Sequence, residues 1–264
     1  MELSAYQAAA KARIDAELNA RVAQWFPSLS PPHREALHSI LVEGKRLRGS
    51  LTCLVAEALG ATFERALPAA FAVEVIQAAS LVHDDFVDGD TTRRGRPAAW
   101  TQLSARRAVL LADLMFATAI EKMTQLGPRE GETLARAIAA MAQGALQESL
   151  GMGKVHDAEA YRSIIQLKTG SLFAAAARLG ALAAGAHGSI LEAATRFGAV
   201  TGEVYQIADD LADGDMGAPE LLQAKIAPLV EQARTALAAF PRNEHTSMLL
   251  GVIDALKRSP NRMP

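Results

Sequence analysis

The chain has a single cysteine, Cys53, among 264 residues. That excludes a disulfide framework and any zinc centre built from several cysteines, and it fits a reducing compartment. Aromatic side chains make up only 5% of the sequence, few for a cavity that would stabilise cations with rings. Basic charge is not in excess. The 27 Lys+Arg stand against 29 Asp+Glu, a formal net charge of −2, which argues against a general nucleic-acid binder. Long uncharged apolar runs are missing too: the longest, Leu179 to Leu191, lies between Arg178 and Glu192 and falls short of the roughly 18 residues of a membrane span. Met1 to Glu17 mixes Glu2, Lys11, Arg13 and Asp15 along a helical pattern and has no signal-peptide core. These absences predict a cytoplasmic protein with no membrane span and no nucleic-acid partner.

What the chain does have is small and branched apolar side chains. Half of its residues are hydrophobic, enough for a buried core and too many for a disordered chain. Alanine-rich segments place apolar residues three and four apart almost end to end, and Val, Ile and Thr never gather into alternating runs. That periodicity predicts helices and no sheet. Breaks fall at Pro27 to Pro32, Gly60-Ala61, Gly89 to Pro97, Gly127-Pro128, Gly151 to Gly153, Gly185 to Gly188, Gly214 to Pro219 and Pro241-Arg242. About ten helices fit between them. No linker divides the chain, so residues 1–264 read as one all-α, single-domain bundle.

The most informative stretch ends the helix that starts near Arg65: Ser80-Leu81-Val82-His83-Asp84-Asp85-Phe86-Val87-Asp88. Asp84 and Asp88 are four apart and share a helix face at roughly 6 Å, while Asp85 turns away. Two carboxylates so placed repel one another and oppose the helix dipole, so a purely structural helix has little reason to end this way. The arrangement recurs where the helix from Ile190 to Tyr205 runs into Gln206-Ile207-Ala208-Asp209-Asp210-Leu211-Ala212-Asp213, with Asp209 and Asp213 on one face. One such cluster reads as a solvated helix end. Two on matching ends point to a site for hard cations, and Mg²⁺ suits it because that ion takes few carboxylates and binds phosphate oxygens.

Basic residues stand nearby. Gly44-Lys45-Arg46-Leu47-Arg48-Gly49 gathers three cations, and Thr91-Thr92-Arg93-Arg94-Gly95-Arg96-Pro97 follows the first acidic cluster directly. Arg forks bind phosphate through two nitrogens and Lys supplies a point charge. Either loop alone is an ordinary basic loop; beside carboxylate pairs they suggest a Mg²⁺-diphosphate site. Gln166-Leu167-Lys168-Thr169-Gly170 adds one Lys and a hydroxyl.

In their order and spacing, from Gly44 to Asp213, these segments resemble the trans-isoprenyl diphosphate synthases, the polyprenyl synthetase family. The resemblance implies a bundle around a deep central cavity, usually a homodimer, that joins an allylic diphosphate to isopentenyl diphosphate. By position, Asp84, Asp88 and Asp209 are implied Mg²⁺ ligands, with Asp85 and Asp213 supporting, for about three ions once substrate is bound. Gly44, Lys45, Arg48 and Arg94 are implied contacts of isopentenyl diphosphate, with Gln77 beside them. Arg93, Lys168, Thr169 and Gln206 are implied contacts of the allylic diphosphate. Asp84, Asp88, Asp209, Lys168 and Arg93 are thus the implied catalytic set. Released diphosphate takes the final proton in this scheme, so His83 reads as a packed histidine rather than a general base.

In this family the product grows along the helix before the first Asp, and bulky aromatics four or five residues upstream stop it at fifteen carbons. Ser80 and Ala79 stand there, with Ile76 and Val75 one turn back. Small residues at the first two positions imply geranylgeranyl diphosphate or longer, unless Phe116 forms the floor. One departure stands out: after Asp213 the family continues with lysines, whereas this chain reads Gly214-Asp215-Met216-Gly217-Ala218-Pro219-Glu220, has no basic residue before Lys225, and looks abbreviated beyond. Three readings follow: a synthase, a noncatalytic partner of a heteromeric synthase, and a class I terpene cyclase. The cyclase needs no isopentenyl diphosphate pocket, yet Lys45, Arg48 and Arg94 are present, and aromatics are scarce.

Overall fold

Apolar residues at helical spacing wind the chain into twelve α-helices among the described residues, in a computed structural model that describes residues 2–42, 44–151, 158–213 and 219–258. The order is α1 (Leu3–Trp25), α2 (Pro31–Val42), α3 (Leu47–Ala58), α4 (Phe63–Asp88), α5 (Ala99–Leu103), α6 (Ala105–Leu126) and α7 (Pro128–Ser149). Then come α8 (Ala158–Ile165), a π-helical turn (Gln166–Gly170), α9 (Ser171–Ala183), α10 (Gly188–Asp213), α11 (Pro219–Leu237) and α12 (Glu244–Arg258). The expected all-α class is what forms, with two helices more than the breaks suggested. Ends that none of those breaks marks fall between α2 and α3, around Lys45, at Ser104 and at the π-helical turn between α8 and α9, none of which carries a Gly-Pro signal strong enough to read.

The sequence also gave no hint of strand, yet a minimal hairpin pairs β1 (Thr92–Arg93) with β2 (Arg96–Pro97). Its two turn residues, Arg94 at φ 52 and Gly95 at φ 78, both take the left-handed conformation that a tight two-residue hairpin turn requires. Glycine adopts it freely; Arg94 does so at a cost of the order of 1 kcal/mol.

Helix α4 is the axis of the bundle. It packs against α3, α6 and α9, and from Phe63 through Ala79 nearly every side of it is buried. Among the described residues it is the helix long and apolar enough to cross a membrane by length and composition, but 67% of that stretch is buried inside the protein, as in a core helix. The Leu179–Leu191 run is cut by the turn between α9 and α10. Small residues let the helices touch. A Cβ on Gly180 would stand 2.2 Å from the Thr52 carbonyl oxygen of α3, and one on Gly198 would stand 2.3 Å from the Phe173 carbonyl oxygen of α9, far inside contact distance.

One polar cluster joins the first four helices. Arg46, buried and left-handed at φ 54, donates from Nε to Asp15 of α1 at 2.7 Å and from its fork to the Leu41 carbonyl of α2. It also stands 3.6 Å from Glu74 of α4. Glu74 in turn accepts the backbone N–H of Gly49, in α3, at 2.7 Å. Breaking a buried ion pair from one side leaves an uncompensated charge. Glu74→Ala is therefore expected to lower the unfolding free energy by about 3–5 kcal/mol, measured by urea denaturation; a loss below about 1 kcal/mol would mean that the cluster behaves like a surface pair.

Candidate active site

The acidic ends of α4 and α10 open into one cavity of about 1330 Å³. Helix α4 lines it with Gln77, Ser80, Asp84, Asp85 and Asp88, the α2–α3 connection with Gly44 and Lys45, and the first turn of α3 with Arg48. The hairpin supplies Arg93 and Arg94, the π-turn Lys168 and Thr169, and α10 Gln206 and Asp209. Residues up to 165 positions apart in sequence (Gly44 to Asp209) thus meet at one site. The side chain of Asp213, and the Gly214–Ala218 loop where family lysines are missing, lie outside the described residues. Lys225 falls in α11 and pairs with Glu159 of α8 at 3.3 Å.

The acidic residues sort into two kinds. Asp85, buried beneath the face carrying Asp84 and Asp88, accepts from Arg93 through Oδ1, with the Arg93 Nε at 2.7 Å. Asp210 is likewise held: its Oδ1 accepts from the Gln206 amide at 2.7 Å and its Oδ2 accepts the Tyr161 hydroxyl. Asp84, Asp88 and Asp209 line the same cavity. Burial raises the Asp84 carboxyl above the usual aspartate range, Lys168 opposes that rise, and Asp88 adds to it. Among the described residues no three such groups close into a cage of their own. An open set of carboxylate oxygens from two helices suits a hard divalent ion that takes its remaining ligands from water and a bound phosphate.

Cations surround this acid. Lys168 stands 3.7 Å from Asp84 and donates to Glu148 of α7 at 2.5 Å. Burial would lower its ammonium, but Glu148 and Asp84 together raise it and keep it charged. Arg48 lies 4.4 Å from the centre of the Phe173 ring, and its buried Nε has no hydrogen-bond partner. Burial pulls it below the ordinary arginine value, and Glu74, Tyr205 and Asp209 pull back. A guanidinium with a donor left over is suited to an arriving anion. Gly44 faces the guanidinium groups: a Cβ there would come 3.0 Å from Arg46 and 3.8 Å from Arg94.

The cavity lining also includes the apolar Leu81, Phe116, Ile138 and Met141 and the small Ser80. This alters the expected chain-length set. Ser80 is at the wall, but Ala79 and Ile76 are fully buried in the core and do not line the cavity. Phe116 is at the wall as well, its ring 5.4 Å from that of His83, which itself sits packed with Nε2 3.4 Å from Asp113. Arg46, the third cation of the segment with Lys45 and Arg48, also borders the cavity, but its guanidinium is engaged at the helix joint. Glu148, Tyr161 and Met141 line the cavity and were not foreseen; a lone acid, tyrosine or methionine on a helix carries no spacing signal.

Known proteins resemble this chain in sequence and in fold. A family model described as polyprenyl synthetase matches residues 31–243. The chain is 33% identical to heptaprenyl diphosphate synthase component 2 of Geobacillus stearothermophilus, over 94% of this chain and 82% of that one. It is 32% identical to a geranylgeranyl diphosphate synthase of Methanosarcina mazei, over 79% of this chain and 67% of that one. A polyprenyl synthase of Caulobacter crescentus CB15, solved with calcium and isoprenyl diphosphate, superposes with a TM-score of 0.84 at 28% identity, covering 97% of this chain and 98% of the other. The chain belongs to the polyprenyl synthetase family. It is an enzyme, a transferase of prenyl groups, with the all-α fold of the isoprenyl diphosphate synthases.

The raised Asp84 carboxyl has a consequence for stability. It binds its proton more tightly folded than unfolded, so at neutral pH, where it is ionised in the unfolded chain, it detracts from stability, and the deficit fades below the ordinary aspartate value of about 3.9. Asp84→Asn is expected to raise the Tm of the metal-free protein at pH 7 and to leave it unchanged near pH 3. A lower Tm at pH 7 would contradict this assignment of burial.

Proposed function

We propose that the enzyme joins isopentenyl diphosphate head to tail to an allylic diphosphate and gives a trans-polyprenyl diphosphate of twenty carbons or more. The observation that carries this is one cavity lined by carboxylates from two helix ends, by cationic groups from separate segments, and by apolar side chains. Asp84, Asp88 and Asp209, supported by Asp85 and Asp213, would hold Mg²⁺, which neutralises charge on the departing diphosphate. The Arg93, Lys168, Thr169 and Gln206 side chains bind the allylic diphosphate. Lys45, Arg48 and Arg94, with the Gly44 backbone and Gln77, bind isopentenyl diphosphate. The allylic carbon–oxygen bond breaks with its electron pair leaving on the diphosphate. The isopentenyl double bond then attacks the allylic cation, and the proton lost from the adduct passes to the released diphosphate. Fixed cations aimed at developing charge lower the barrier, and apolar walls keep water from the cation.

The chain-length reading rests on Ser80 and Phe116. Ser80→Phe narrows the cavity and is expected to shorten the product by at least one five-carbon unit, whereas Phe116→Ala opens the wall and lengthens it. An unchanged product from both variants, resolved by chromatography after dephosphorylation, would remove these residues from length control.

The Mg²⁺-dependent assay with isopentenyl diphosphate and allylic diphosphates of five to twenty carbons separates the readings. Elongated diphosphate supports the synthase, hydrocarbon or alcohol from the allylic substrate alone supports a cyclase, and no turnover supports a partner role. For the synthase, Asp84→Ala and Asp209→Ala are each expected to lower kcat by at least about a thousandfold with the helical circular dichroism unchanged. Full activity in either variant would overturn the metal assignment.

We also read the protein as a cytoplasmic homodimer. The supporting observation is a run of exposed apolar side chains on one end of the antiparallel α6–α7 pair: Leu110 at 58%, Leu146 at 65% and Leu150 at 76% exposure, with Leu114 beside them. The heteromeric alternative is favoured by the name of the Geobacillus relative, a component of a larger enzyme. A dimer mass for the isolated, active chain in light scattering supports the first; a monomer that turns over only with a second chain supports the other.

A further inference from the structure

A hydrogen-bonded chain runs from α8 to the π-turn along the edge of the cavity. The Tyr161 hydroxyl donates to Asp210 Oδ2. The Gln206 amide donates from Nε2 to Asp210 Oδ1 at 2.7 Å, and the Thr169 hydroxyl donates to Gln206 Oε1 at 2.8 Å. All four side chains line the cavity. The direction of this chain is set at its acidic member. An ionised carboxylate only accepts, so Asp210 obliges the Gln206 amide to turn its NH₂ toward α10 and its oxygen toward Thr169. The second hydrogen on Nε2 remains to be donated to an acceptor. Tyr161 occupies the other oxygen of Asp210 and so restricts the rotation of that carboxylate.

We propose that Tyr161 is a positioning residue for the allylic diphosphate: by holding Asp210 it presents the Gln206 amide to the cavity as a donor. This rests on the prenyltransfer reading above, which assigns Gln206 and Thr169 to that substrate. Helix α8 is tied to α10 a second time by the Arg162–Glu203 ion pair, in which the buried Glu203 also accepts from Gln166 at 3.0 Å. Loss of the tyrosine hydroxyl therefore does not free the helix.

Tyr161→Phe keeps the ring and removes only the donor. The expected result is a five- to tenfold rise in KM for the allylic diphosphate, with KM for isopentenyl diphosphate and the Tm unchanged. Binding of inorganic diphosphate with Mg²⁺, followed calorimetrically, weakens by a similar factor. Asp210→Asn, whose amide can donate to Gln206 Oε1 and let it flip, produces the same selective defect, and the double variant is no worse than Asp210→Asn alone. An unchanged allylic KM in Tyr161→Phe, or equal losses for both substrates with a lowered Tm, overturns the positioning role while an active wild type keeps the prenyltransfer reading. A wild type that neither elongates nor binds diphosphate overturns both.

Discussion

The buried guanidinium of Arg46 is the constraint on which the rest of the site depends. Its partners come from α1, α2 and α4, with α3 tied in through Glu74. Holding one residue in a left-handed conformation between α2 and α3 turns the chain sharply enough that Lys45 and Arg48, on either side of it, both reach the cavity. Arg46 borders the same cavity, but its nitrogens are engaged by Asp15, Leu41 and Glu74. An alanine there would remove a charge from the phosphate-binding cluster only on paper; physically it would uncouple four helices.

The bundle pays for its open cavity by packing tightly elsewhere. Carboxylates that face the interior raise the free energy of the empty protein, as the shifted Asp84 shows, and unfilled space forfeits dispersion contacts. Both losses are offset where α3, α9 and α10 meet with no side chain between their backbones at Gly180 and Gly198, and along α4, buried through most of its length. Stability and reactivity are therefore drawn from different parts of the same helices: the middle of α4 holds the fold together, and its last turn faces the chemistry.

Much of this was legible from local pattern. The helices, their main breaks, and both acidic clusters follow from spacings of three and four, because a helix converts sequence distance directly into position on a face. What was not legible depends on partners distant in sequence. Lys45, Arg46 and Arg48 look alike until Asp15 and Glu74 claim the middle one. Ala79 and Ser80 both stand one turn before Asp84, and only the rotation of α4 against α3, α6 and α9 decides that Ser80 lines the cavity. Asp85 and Asp210 were recognisable as members of acidic clusters, but their engagement by Arg93 and Tyr161 needed a hairpin and a short helix that composition does not announce.

The π-turn at Gln166–Gly170 separates two registers. Such a turn carries one residue more than an α-turn over the same path, so the helix upstream and the helix downstream are out of phase by about a quarter of a circle. Helix α9 keeps the phase that fits Phe173 and Gly180 into the core, while α8 keeps the phase that turns Tyr161 and Arg162 toward α10. An uninterrupted helix would have to choose between them. The extra residue works as a slipped gear tooth, letting the ligand-facing segment be set independently of the packing it stands on.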